Sequence, residues 1–432
     1  MSDLDLAVEA IVYTFPLFEM ARMRSSSGAR RNARGDYADP GGGPESTKRW
    51  VNTFSHTRHL LGPADRRVVT PNNDTLYTNA WLDLSRGPLM IHAPDTAGRY
   101  YVLGFLDFYT NPFAYSGSRT TGTGAQQLFV HGPRWRGEPP AGAIVITSPT
   151  DHVWVLGRIL ANADEDLGPV HALQDAFRIA RGNAPAAPID GDVLDAGVSP
   201  RASPDDIEQY VAVVNRELWQ NPPPADETGI VARFAAPGIG PGLAAPVDVA
   251  LLRAAMRQVL ATLDAPQPSD FGGGWKLMAD LSGSFGRRFQ ERARVARCYI
   301  GMLGVEEVMY LIADVDAAGV PLDGRRDYRL RFPPGGLPDV AAFWSLTMYR
   351  KADYLLVDNP AGRYSIGDRT RGLRRDADGG LTLNIGHRAP AVTDNWLPAP
   401  AEGFYLALRL YLPGAAHVQR SFVYPPLVPA SL

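Results

Sequence analysis

Acid–base chemistry needs a carboxylate held away from bulk water, with hydroxyl or guanidinium partners close by. One short segment of this 432-residue chain offers such a set. It is Thr70-Pro71-Asn72-Asn73-Asp74-Thr75-Leu76-Tyr77, placed just ahead of an alternating apolar run. Asp74, flanked by apolar strand residues, is a candidate general acid or base, and Tyr77 a nearby hydroxyl donor. Asn72 and Asn73 are candidate substrate-binding amides. The same three residues also suit a plain tight turn, because Asn and Asp side chains bond to adjacent backbone amides. Both readings stand on the sequence.

A second stretch, Phe343-Trp344-Ser345-Leu346-Thr347-Met348-Tyr349, alternates so that Phe343, Ser345, Thr347 and Tyr349 share one strand face. A face rich in hydroxyls fits a ligand-lining strand, with Tyr349 a second donor and Thr347 a substrate contact. It equally fits an ordinary solvent face. Arg99, Arg363 and Arg409 each stand beside tyrosines. A guanidinium fork suits a carboxylate-bearing ligand, and inter-strand Arg–Asp pairing is the structural alternative. Trp396, in Asn395-Trp396-Leu397-Pro398-Ala399-Pro400, either plugs the end of a β structure or offers a stacking platform for a ring or sugar.

Cofactor signals are sparse. There is no Gly-x-Ser-x-Gly elbow, no phosphate loop and no dinucleotide fingerprint after a strand, so no cofactor is implied by motif. His56 and His59 lack a third ligand at a diagnostic spacing, while His92, His131 and His152 fall on separate expected strands. No metal ligand is assigned.

The elements that must position these groups follow from composition and periodicity. Hydrophobic residues are 45% and charged residues 21% of the chain, a globular balance, and a net charge of −3 gives no general attraction to nucleic acid. The acidic start and the charges in the first apolar run argue against a signal peptide or membrane span, so a cytoplasmic protein is expected. The single cysteine, Cys298, excludes an internal disulfide and reads as a small buried hydrophobe.

Residues 3–23 read as an amphipathic helix kinked by Pro16, followed by a mobile loop over 24–49. Short apolar runs predict strands at Tyr77–Leu84, Leu89–His92, Tyr100–Leu106, Gln127–Val130, Ala143–Thr147 and Val153–Leu160. Helices are expected over Asp164–Arg181, from Ser203 to about Trp219, over Val247–Leu263 and over Arg287–Ile312. Period two returns at Tyr328–Phe332 and Phe404–Leu412. The division is thus residues 1–50 for the helix and loop, 51–182 for a first β domain, 183–325 for a helical connector and 326–432 for a second β domain. The two β blocks could be distant duplicates, but no internal repeat is visible.

Two groups of motifs are distinctive. The first joins Thr70–Tyr77, Gly98-Arg99-Tyr100-Tyr101, Asp107 with Asn111, and Gly117 to Gly122. The second joins Phe343–Tyr349, Asn359-Pro360, Arg363-Tyr364-Ser365-Ile366-Gly367, Asn395–Pro400 and Arg409-Leu410-Tyr411. With these the chain resembles the paired families of domain of unknown function 1254, N-terminal, and domain of unknown function 1214, C-terminal. The resemblance implies two jelly-roll-like β domains joined by helices. It carries no agreed reaction, cofactor or catalytic residue, and many of its members are exported.

The leading expectation is a bacterial enzyme that binds a small molecule in a cavity of a β domain and uses cofactor-free acid–base chemistry: hydrolysis, elimination or cyclisation. Asp74, Tyr77 and Tyr349 are its catalytic candidates. Asn72, Asn73, Arg99, Thr347, Arg363 and Trp396 are its substrate-binding candidates. One alternative is a carbohydrate-binding or assembly jelly roll reading ligands with exposed Trp81, Trp135 or Trp396. Another is a metal-dependent oxidase or hydrolase. No nucleic-acid or membrane partner is expected, and the oligomeric state is open.

Overall fold

The structure is a computed structural model and describes residues 2–27, 30–31, 37–38, 51–66, 69–181, 201–244, 248–281 and 284–430. Most of the 24–49 loop therefore lies outside the described residues. The chain is mainly β, with helices in the minority.

Alternation of apolar residues builds the first β unit as two facing sheets. One orders Ser55–His56, Thr75–Asp83, His152–Leu160, Tyr101–Leu106 and Pro112–Gly117; the other orders Arg178–Arg181, Leu89–Ala93, Gln126–His131 and Ile144–Thr147. Leu76, Leu82, Leu103, Val155 and Ile91 meet in one core between them. In the second unit one sheet orders Ser269–Asp270, Trp275–Leu277, Val308–Ala313, Phe404–Pro413, Val340–Arg350 and Ser365–Gly367. Its facing sheet orders Trp396–Pro398, Leu381–Gly386, Tyr328–Phe332 and Leu427–Pro429. Met309, Leu311, Leu346, Leu406 and Leu383 fill that core. Among the described residues no sheet closes into a barrel.

Short edge strands aside, the two units follow one plan, strand for strand. Thr75–Asp83, His152–Leu160, Tyr101–Leu106 and Pro112–Gly117 are neighbours in the order that Val308–Ala313, Phe404–Pro413, Val340–Arg350 and Ser365–Gly367 repeat. Each facing sheet carries one parallel pair, and it too falls at equivalent places, Gln126–His131 with Ile144–Thr147 and Leu381–Gly386 with Trp396–Pro398. Register agrees to the residue. Tyr77, Arg158, Val102 and Gly117 form one cross-strand row. Tyr310, Arg409, Ser345 and Gly367 form its counterpart. A Cβ at Gly117 would lie 2.3 Å from the Tyr101 carbonyl oxygen, and one at Gly367 would lie 2.2 Å from that of Trp344, so both rows end in an obligatory glycine.

A third core joins the units. It is formed by helices Asp3–Ser27, Ile207–Gln220, Val249–Leu263 and Phe289–Cys298, by the outer face of the first unit's large sheet (Trp81, Trp154, Leu156), and by Val308, Phe343 and Tyr411 of the second. Within it the Arg292 guanidinium lies about 5 Å from the rings of Tyr13, Tyr109 and Phe289, tying two helices to a loop of the first unit.

Several expectations need correction. The first helix ends at Ser27 instead of residue 23, with Pro16 inside it, and is buried on most of its sides. The helix expected over Asp164–Arg181 ends at Ala176, and Arg178–Arg181 pairs with Leu89–His92 as an edge strand. The expected helix Arg287–Ile312 stops at Cys298, after which Val308–Ala313 is a strand. Its run Val-Met-Tyr-Leu-Ile-Ala is too short for periodicity to separate helix from strand. Cys298 ends its helix exposed rather than buried.

Candidate functional site

Two arginines sit in the middle of apolar strands that face each other across the third core. Arg158 is 6% exposed and Arg409 is 2% exposed. Arg158 stands opposite Tyr77 across its own sheet, 5.3 Å above the ring, and donates to the Tyr310 hydroxyl of the other unit. Arg409 stands opposite Tyr310 in its sheet, 5.6 Å from that ring, while Arg158 is 5.8 Å from it. Both guanidiniums therefore share one tyrosine. Arg409 donates to Thr347 Oγ1 at 2.7 Å, to the Tyr349 hydroxyl at 2.6 Å and to the Thr70 carbonyl at 3.3 Å. Among the described residues neither arginine meets a carboxylate within ion-pair distance, and the Nε of each is buried without a partner. Burial opposes the charge at both, the surrounding tyrosines and, at Arg409, the nearby Asp74 carboxylate favour it, and both stay cationic. Tyr77, Asn79 and Tyr310 beside them are only half-buried.

Two carboxylates flank them, again at equivalent places. Asp74 stands three residues before Tyr77, and Glu307 three before Tyr310. Each pairs with an arginine of the opposite unit. Arg369 Nη2 reaches Asp74 Oδ1 at 2.6 Å, and Arg119 Nε reaches Glu307 Oε2 at 2.8 Å. Arg119 and Arg369 occupy the same position in Gly117-Ser118-Arg119-Thr120 and Gly367-Asp368-Arg369-Thr370, the turns that follow the two row-ending glycines. The second oxygen of each carboxylate is also engaged: Ser345 Oγ donates to Asp74 at 2.6 Å and the Tyr100 hydroxyl to Glu307 at 2.9 Å. Burial pushes the Glu307 carboxyl up, against the pull of Arg119 and Tyr100. Burial likewise raises the Tyr349 phenol to about 12, so it serves as a neutral donor.

The sequence candidates separate into two groups. Asp74, Asn72, Tyr77, Thr347 and Tyr349 all come together at this interface. Asn72 does make the expected turn, accepting from the backbone N–H of Asp74 at 2.7 Å, and its amide donates to the Tyr411 hydroxyl at 2.7 Å. Tyr349 donates to the Pro71 carbonyl at 2.6 Å. Asn73 follows in the same turn with a buried, unpartnered Oδ1. Three candidates lie apart. Arg99 holds Asp166 and the Leu160 carbonyl. Arg363 donates to the carbonyls of Thr393, Asp394 and Trp396, and Trp396 is buried with its Nε1 on the Gly386 carbonyl at 3.0 Å.

Arg158, Glu307, Tyr310, Arg119 and Arg369 were not singled out from the sequence. A usable signal was the lone charge inside Val153–Leu160, which matches Arg409 inside Phe404–Leu412. Elsewhere, a groove of about 910 Å³ runs along the second unit's outer sheet. Its arginines include Arg331, paired with Asp376 and Asp378, and Arg374, paired with Asp394, so it reads as a solvated charged surface. Among the described residues no group of three or more His, Cys, Asp or Glu side chains is placed to hold a metal ion, and no helix is long and apolar enough to cross a membrane.

Fold and interface together define a protein of two like β sandwiches clasped face to face over a pair of buried arginines. Residues 51–181 match the family model described as "Protein of unknown function (DUF1254)" and residues 307–415 match "Protein of unknown function (DUF1214)". The chain belongs to the two-domain family that carries this pair. No curated protein matches it. The crystal structure of the VPA0106 protein from Vibrio parahaemolyticus is similar over 100% of both chains, at 24% identity and a TM-score of 0.74, and shares the fold. A crystal structure of an uncharacterized protein from Burkholderia cenocepacia covers 99% of this chain and 94% of its own, at 13% identity and a TM-score of 0.45.

Proposed function

We propose that this protein binds a small carboxylate-bearing molecule at the interface of its two β units and transforms it by cofactor-free acid–base chemistry. The observation that carries the reading is the pair Arg158 and Arg409: two buried cations without a carboxylate partner among the described residues. A buried charge left without a counter-charge is costly, and a ligand carboxylate on a guanidinium fork supplies both charge and directed hydrogen bonds. Asp74 and Tyr349 both lie near Arg409, which makes Asp74 the candidate acid or base and Tyr349 a neutral phenol that donates to a ligand on giving up its bond to the Pro71 carbonyl. Hydrolysis, elimination and cyclisation all fit that pair. The surface-module alternative gains no support from Trp81, stacked on Trp154 in the core, or from Trp396, which is buried; Trp135 is half-buried against Phe129 and His131.

Thermal denaturation with matched acids and amides tests the binding step. Acetate and benzoate should raise the melting temperature, acetamide and benzamide should not, and Arg158→Met should abolish the difference. Equal shifts from acids and amides, or none, would remove the reading. Once a turnover assay exists, Asp74→Asn should abolish activity with Arg158 and Arg409 still binding the acid. Retained turnover would take Asp74 out of the chemistry.

A further inference from the structure

The interface is built twice. Each unit brings one arginine from an inner strand of its larger sheet, one tyrosine opposite it, one carboxylate three residues before that tyrosine, and one arginine from a Gly-x-Arg-Thr turn. Four of these groups cancel in pairs, Arg369 with Asp74 and Arg119 with Glu307, and both pairs reach across from one unit to the other. What is left is one guanidinium per unit without an ion-pair partner among the described residues, Arg158 and Arg409, each within 6 Å of the Tyr310 ring. A ligand with one anionic group would neutralise one of them and leave the other buried. One with an anionic group at each end would satisfy both.

We infer that the ligand is a small organic dicarboxylate, one carboxylate on Arg158 and the other on Arg409, a proposal that rests on the carboxylate reading above and specifies its substrate class. The half-sites are not identical. Arg409 already spends three hydrogen bonds on Thr347, Tyr349 and Thr70, whereas Arg158 spends one on Tyr310 and has more donors free. Ser345 and Val102 occupy equivalent positions beside the two arginines, so the strand neighbour is polar at Arg409 and apolar at Arg158. Two unlike ends fix the direction in which an unsymmetrical diacid lies, and place one carboxylate end next to Asp74 and Ser345.

The test is calorimetric titration of the full chain with malonate, succinate, glutarate and adipate, each against the monocarboxylate of equal carbon number, and with inorganic phosphate. One diacid should bind at least about tenfold tighter than its monoacid, the gain expected from a second charge-assisted fork. Arg158→Met and Arg409→Lys, each first shown to unfold cooperatively, should both bring the diacid down to the level of the monoacid. If monoacids bind as tightly as diacids, the two-anion inference falls and the carboxylate reading stands. Tighter binding of phosphate than of any diacid would overturn the inference in favour of a phosphate ligand. Should no acid bind at all, both would fall together.

Discussion

Replacing either buried arginine by methionine removes a cation from the interface and keeps an unbranched chain of similar reach, yet only one of the two variants should lose stability. Burying a guanidinium costs several kcal/mol, and that relief is common to both. So are the ring contacts, since Arg158 lies over Tyr77 and Tyr310 and Arg409 over Tyr310 and Tyr349 at 5.3–5.8 Å. What differs is hydrogen bonding, one bond at Arg158 against three at Arg409. At about 1.5–3 kcal/mol for a bond to a charged group, two bonds are worth about 3–6 kcal/mol. The 3.3 Å bond to Thr70 sets the expectation at the lower end. Arg158→Met should therefore leave the ligand-free protein unchanged or more stable by about 1 kcal/mol, and Arg409→Met should cost about 2–3 kcal/mol. Urea denaturation of the wild type and both variants, without ligand, gives the comparison directly. A variant that gains stability as it loses binding is the mark of a site held under strain for function. If Arg158→Met loses as much as Arg409→Met, within about 1 kcal/mol, Arg158 is a satisfied structural residue and the reasoning is refuted.

Further consequences concern the clasp, the glycines and pH. The Asp74–Arg369 and Glu307–Arg119 pairs should each show a coupling of about 1–3 kcal/mol in double-mutant cycles, reduced because the arginine ends are partly solvated; coupling at only one of them would break the equivalence of the units. Gly117→Ala and Gly367→Ala should each cost about 3 kcal/mol by thermal denaturation, because the added Cβ meets a strand carbonyl at both places. Burial lowers the His417 imidazole from 6.5 to about 4, so the unfolded chain binds its proton first as pH falls. Stability should then drop through that window by about 3 kcal/mol in all, and His417→Phe should flatten the slope of the pH–stability curve between 6.5 and 4.

Much of the architecture was legible where one face of a strand is apolar and the other polar. Tyr328–Phe332 alternates buried and exposed residues along its length and was read correctly. Val308–Ala313 was misread because both of its faces are at least partly covered, leaving a six-residue apolar run with no period. The site was half legible for a related reason. Asp74, Asn72, Thr347 and Tyr349 are polar residues in marked motifs, and they draw attention wherever they fold. Arg158 is a single charge in a strand that otherwise reads as core, and only the facing unit gives it a role. The duplication stayed hidden because its shared residues are few: a Gly-x-Arg-Thr turn, an Arg in one strand and a Tyr opposite it. They align only once the strand register is known.

The central claim is that the interface, around Tyr310, is where a carboxylate ligand sits. A crystal of the full chain soaked with 4-bromobenzoate tests it most directly, through the anomalous signal of bromine. The account predicts a carboxylate on Arg158 or Arg409 with the bromine peak beside Tyr77 and Tyr310. A peak confined to the groove beside Arg331 and Arg374, with the two interface arginines untouched, would contradict it.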